Sequence, residues 1–131
     1  MHRVFETMLT KFHEGVIGNQ WLHSADMNVY VRRGYHTLPP LRAIRNAFDV
    51  ANVEVIELRR GRGIFTEWLA VAERLASEYG FDAVFVESVL NPRLGEFLIR
   101  QGYTKMGPDQ CPNYFKYCDH LTQKASLASA L

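Results

Sequence analysis

At 131 residues the chain has the length of one domain, and an apolar content of 47% is enough to build a sizeable core. Its net charge of +1 argues against general electrostatic attraction to nucleic acid or to a membrane surface. No apolar run is long enough to span a bilayer, and Glu6, Lys11 and His13 interrupt the start where a signal peptide would be apolar. With only Cys111 and Cys118 there is no disulfide framework, so a cytoplasmic protein with reduced thiols is expected.

The spacing of Val4, Phe5, Met8, Leu9 and Phe12 predicts an amphipathic helix over Arg3–Glu14, ending near Gly15. Gly15 to Ser24 reads as loop, with Trp21 assigned to the core. Asn28–Arg33 alternates and is rich in β-formers, so it reads as a strand stopped by Gly34. Tyr35–Pro40 reads as a connection, because Pro39-Pro40 bars both helix and central strand. Leu41–Ala47 suits either a short helix or the return strand of a hairpin, and Phe48–Val55 leads into a strand over Asn52–Leu58. His13, His23 and His36 read as solvated residues of loops or helix ends.

The turn Arg59-Arg60-Gly61-Arg62-Gly63 follows, then a helix from about Ile64. Ile64, Trp68, Val71, Leu75 and Tyr79 recur at helical spacing, flanked by Phe65, Leu69, Ala72 and Ala76, and Gly80 supplies the left-handed stop. Phe81–Ser88 reads as a strand. Asn91-Pro92 opens the next helix, Leu94, Phe97 and Leu98 form its buried stripe, and Gly102 closes it. Tyr103–Met106 and Asn113–Cys118 read as two short strands around the turn Gly107–Pro112. The elements predict an α/β fold, a mixed sheet with helices on both faces, in one domain over 1–121 with a tail over 122–131.

A strand feeding a basic, glycine-rich turn at a helix start is a phosphate-binding arrangement. The first helical N–H groups have no intrahelical partner, the dipole adds positive charge, and glycine lets the backbone approach an anion. A P-loop would need Gly-Lys-Ser/Thr, and this chain has Gly63-Ile-Phe-Thr66. A dinucleotide fingerprint would need a third glycine where Thr66 stands. The segment Arg60-Gly-Arg-Gly63-Ile-Phe65 resembles the acyl-CoA loop of the GNAT N-acetyltransferase superfamily, Arg/Gln-x-x-Gly-x-Gly/Ala, with Phe65 in place of the last small residue. A second motif falls in register at Asn91, Gly102 and Tyr103. Together the two cover roughly Asn52–Tyr103.

The resemblance implies a GNAT-like acyl-CoA N-acyltransferase fold, reduced at the N-terminus, and it favours the return-strand reading of Leu41–Ala47. It implies transfer of an acetyl group from acetyl-CoA to a primary amine of a protein or small molecule. The backbone of Val53–Val55 would hold the pantetheine arm and acyl carbonyl. The loop amides at Arg60, Gly61, Arg62, Gly63, Ile64, Phe65 and Thr66 would take the pyrophosphate, and Asn91 would bond to the arm. Neither membrane nor nucleic acid is an expected partner, and the shortened front leaves room for a homodimer that completes the pocket.

For proton transfer the base candidates are Glu87, late in its strand, and Glu54, placed mid-strand among apolar residues. The competing reading for both is an ion pair with Arg32, Arg33 or Arg45. The family's Tyr position is Leu98 here, which donates no proton, so Tyr103, Tyr114 or Tyr117 would have to substitute, or the thiolate would leave unaided. Cys111, Cys118 and His120 match no common metal spacing, and no metal is expected. The alternative to an enzyme is a GNAT-fold module that binds coenzyme A or a macromolecule without turnover.

Overall fold

The computed structural model of the chain describes residues 2–40, 43–55 and 63–119. In chain order these form α1 (His2–Glu14), β1 (Asn19–His23), β2 (Met27–Leu38), β3 (Ala43–Val55), α2 (Ile64–Glu78), β4 (Ala83–Val86), α3 (Pro92–Arg100), β5 (Thr104–Met106) and β6 (Asn113–Tyr117). The tail over 122–131 and the turn Arg59–Arg62 lie outside the described residues.

The six strands make one sheet in the order β1-β2-β3-β4-β6-β5. Only β3 and β4 run parallel, and α2 is their crossover. The other neighbours are antiparallel, so the sheet is mixed as expected.

Side-chain alternation along β4 divides the interior in two. Val84 and Val86 join Phe48, Val50, Val29 and Val31 beneath Phe5, Leu9 and Phe12 of α1, Trp68 and Leu75 of α2, and Leu98 of α3. Ala83 and Phe85 point the other way and join Ala47, Leu38, Phe115 and Tyr117. All three helices therefore serve one face. The expectation of helices on both faces is corrected: among the described residues the second face carries no helix.

Several boundaries differ from the sequence reading. The segment read as loop before Ser24 contains β1, which pairs in register with β2 from Asn19↔Arg32 to His23↔Asn28. Trp21 is not core. It sits on β1 at 38% exposure and packs on His23 and Tyr30. Gly34 does not end β2, which runs on to Leu38 as half of a long hairpin with β3. A turn at Pro39 and Pro40 follows β2, where Tyr117 shares its hydroxyl proton between the carbonyls of Leu38 and Pro39.

His13 is not solvated either. It is 8% exposed and stacked on Tyr79 at 4.8 Å. Arg33, a candidate ion-pair partner of the two glutamates by sequence, reaches the helical face instead. It donates to the carbonyls of Phe12 and Gly15 at the end of α1, with its guanidinium 4.4 Å from the Phe12 ring.

Candidate functional site

The site begins where β3 and β4 part. Their ladder runs from Ala47↔Ala83 to Val50↔Val86, and the last bond is Glu87 N–H to Val50 O at 3.0 Å. From Asn52 to Val55, β3 pairs with β2 but not with β4. The cause lies in β3 itself. Tyr30 opposes Asn52 while Val31 opposes Val50, so Ala51 is an extra residue, a β-bulge. A bulge bends its strand and interrupts the ladder. It also shifts the alternation, so that Val50 and Val53 both pack toward the helices. The result is a fork whose β3 prong offers backbone groups along its β4-facing edge.

Two helix starts follow the prongs in chain order, α2 after β3 and α3 after β4. Gly63 precedes α2 in the left-handed conformation, φ +70°, which a side chain would resist. Its carbonyl accepts the first intrahelical bond, from Glu67 N–H at 3.0 Å, and no side chain caps the helix. The N–H groups of Ile64, Phe65 and Thr66 are thus left without intrahelical partners, as an anion site requires. Ile64 is buried, Phe65 is half-buried against Trp68 and Phe97, and Thr66 is exposed. Arg60, Gly61 and Arg62 lie outside the described residues.

Asn91 starts α3. Its side-chain oxygen accepts the Arg93 N–H at 3.0 Å, and Pro92 follows in the first turn. The cap uses the oxygen and leaves the amide N–H₂ as the donor. Asn91→Ala should lower stability by about 1 kcal/mol in urea unfolding, the usual worth of such a cap.

The two carboxylates proposed as bases are placed differently. Glu54 is exposed on the open stretch of β3, beside Asn28 in register. The premise that it is buried among apolar residues is therefore wrong; the bulge turns it to the second face. Glu87 follows β4 at the apex of the fork and is ion-paired with Arg32 of β2.

Arg32 also lies 3.8 Å from Asp49 of β3, and Asp49 accepts or shares a proton with His36 Nε2 at 2.8 Å. Asp49 is 2% exposed, although no described helix covers its face. It is sheltered by Arg32 and His36, and it occupies the space over Gly34 that a Cβ would need. Burial pushes the Asp49 carboxyl above its ordinary range, and His36 and Arg32 pull it back. The His36 ring stacks on Phe85 at 3.8 Å.

Sequence reasoning missed Asp49 and placed His36 in a loop. Reading Gly34 as a stop hid the signal: with β2 extended, Arg32, Gly34 and His36 alternate on one face.

The proton-donor candidates resolve as follows. Tyr103 is buried and donates to Glu73 of α2 at 2.7 Å, and burial beside that carboxylate raises its pKa well above the usual value. Tyr117 is committed to Leu38 and Pro39. Tyr114 is 6% exposed and packs its hydroxyl against Gly95 of α3. Leu98 is fully buried in the core. The Cys118 thiol is pushed up to about 12, first by burial, and so is not a reactive nucleophile. No group that could hold a metal ion occurs among the described residues, and no described helix is long and apolar enough to cross a membrane.

No protein-family model matches the sequence, and neither does any curated protein. Solved structures do match by fold. A mutant AtaT toxin bound to the C-terminus of the antitoxin AtaR and acetyl-CoA superposes with a TM-score of 0.56 at 14% identity, over 81% of this chain and 64% of that one. A GNAT-family acetyltransferase from Listeria monocytogenes gives 0.55 at 17% identity, over 72% and 58%. A putative acetyltransferase from Agrobacterium tumefaciens gives 0.54 at 21% identity, over 76% and 72%. The chain thus spans less than two thirds of the AtaT and Listeria chains.

Proposed function

We propose that this chain, which has the GNAT acetyltransferase fold, moves an acetyl group from acetyl-CoA to a primary amine by direct attack. The observation that carries the reading is the fork: a bulged β3 that leaves β4 after Val50, followed in the chain by an uncapped α2 start. The fork's free edge suits the amides of a pantetheine arm, and the N–H groups of Gly63 to Thr66, continued by Arg60, Gly61 and Arg62, suit a diphosphate. The backbone of Val53 to Val55 would hold the arm and the acyl carbonyl, and Asn91 would donate its amide to the arm.

Fixed backbone donors at the fork would stabilise the oxyanion that forms as the amine attacks. Positioning then supplies most of the remaining rate. Glu87 at the apex and Glu54 on the open prong are the carboxylates that meet the incoming ammonium. With Leu98 buried, the thiolate leaves without a tyrosine at that position. A homodimer is the proposed means of completing the acceptor pocket, and the cytoplasm as the place of action follows from the use of acetyl-CoA.

Thermal melting tests the first step. Acetyl-CoA at about 100-fold over its Kd should stabilise the native state by about 2.7 kcal/mol, a midpoint rise of several degrees. No rise at millimolar ligand would remove both the enzyme and a coenzyme A-binding module. With a rise established, Glu87→Gln and Glu54→Gln are compared for thioester turnover. Full rate in both would exclude them from the chemistry, and binding without any turnover in the wild type would favour the non-catalytic module.

A further inference from the structure

An acyl transfer to an amine needs a group that takes a proton at neutral pH. Neither predicted glutamate is well arranged for it. Glu87 is already engaged by the Arg32 guanidinium, and Glu54 stands exposed on the open stretch of β3. The face that holds Glu87 also holds a buried carboxylate bound to a partly exposed imidazole. His36 is 23% exposed at its side chain, while Asp49 is 3%.

A continuous chain of contacts links this pair to the fork: Glu87 to Arg32, Arg32 to Asp49, Asp49 to His36. Asp49 immediately precedes Val50, where β3 and β4 part.

Resting on the acyl-transfer reading above, we propose that His36 is the proton acceptor for the amine, working through water, with Asp49 as the positioning residue that holds its ring. Asp49 fixes the tautomer. With its carboxylate receiving the Nε2–H, the lone pair of neutral His36 lies on Nδ1. Phe85 fixes the plane of the ring by stacking. Glu87 then has the separate task of attracting the ammonium to the apex.

The balance of the step is simple. One proton passes from the ammonium to Nδ1 and on to solvent, which frees the nitrogen lone pair for attack on the thioester carbon. The nitrogen bonds to the carbonyl carbon, the C–S bond breaks, and the second proton, shed by the acylated nitrogen, passes through water to the departing thiolate, which leaves amide and free thiol. No oxidant or other reactant is needed.

The charged and titratable groups that face the ring or its network are known from each packed element. They are Arg32 from β2, Asp49 and Arg45 from β3, Glu87 and Asp82 at the ends of β4, and Tyr117 from β6. Arg45 is the register partner of His36 and lies 3.9 Å from Asp82. Asp49 is therefore the immediate carboxylate partner of the ring, with Arg32 and Arg45 beyond it.

His36→Gln tests the proposal, because glutamine keeps an N–H for Asp49 but has no basic nitrogen. Turnover should fall roughly 10²–10⁴-fold, and the acid limb of the pH–rate profile should vanish. The melting-point rise with acetyl-CoA should stay as in the wild type, which excludes loss of fold or of the donor site. Nitrogen NMR of the unliganded protein should show His36 as the Nε2–H tautomer, and Asp49→Asn should abolish that preference.

Wild-type turnover with His36→Gln within twofold of it, or an Nδ1–H tautomer, overturns the proposal alone. Absence of wild-type turnover with any amine and acetyl-CoA overturns the acyl-transfer reading, and the role of His36 with it.

Discussion

Trp68→Ala should destabilise the protein by about 3–5 kcal/mol, the largest single loss expected from one side chain here. Trp68 of α2 is fully buried, 6.3 Å from Phe48 of the sheet and stacked on Phe65 at 5.9 Å. Truncation removes a large apolar surface and leaves a cavity that a helix fixed at both ends cannot collapse into. The indole Nε1 finds no hydrogen-bond partner among the described residues, so Trp68→Phe forfeits no bond and should cost much less. Urea unfolding of the two variants checks the ordering. Because Trp68 anchors the first turn of α2, Trp68→Ala should also blunt the acetyl-CoA melting shift, while Trp68→Phe should keep it.

Acidification should act through His13. Its pKa is lowered from 6.5 to about 4, chiefly by burial and secondarily by Arg33. Neither ring nitrogen has a partner among the described residues, and the ring is enclosed by Phe12, Phe48, Tyr79 and Phe81. Glu14, the nearest carboxylate in sequence, accepts from the Tyr79 hydroxyl at 3.2 Å.

The folded value lies below the unfolded one, so the unfolded chain binds more protons between them. Stability is therefore intact above the unfolded value and declines as the pH falls toward the folded one. From about pH 7.5 to about pH 5 the loss should be about 2 kcal/mol. His13→Phe fills the same aromatic nest without a titrating group, and should flatten that decline in urea unfolding measured at both pH values. An unchanged slope in His13→Phe would mean that other groups drive it.

What the sequence disclosed and what it hid follow from the range of each signal. Helix periodicity and stop residues are local, so α1, α2 and α3 appear close to where Phe5, Leu9, Trp68, Leu75, Asn91 and Pro92 place them. Gly63, Gly80 and Gly102 adopt the positive φ that their positions demand. Gly34 looks the same on paper, yet its reason is a carboxylate from another strand, 15 positions further along, and no local pattern carries that. The dyad was invisible for the same cause: His36 and Asp49 meet only through hairpin register.

Trp21 and Glu54 fail in a related way. Their burial depends on which face of the sheet lacks a helix and on the phase slip at Ala51, and residue type reports neither. The Arg59–Arg62 turn was the strongest local motif, and its neighbour Gly63 has the conformation the motif needs.

The surplus residue in β3 has an evolutionary and engineering corollary. Loss of the single codon for Ala51 would leave Val50 and Asn52 adjacent, already facing opposite ways as a regular ladder asks. The strand would straighten without any change to its inner or outer surface and could zip onto its parallel neighbour. Such a deletion allele would be a folded protein with the gap between the strands closed, and with it the coenzyme site proposed above.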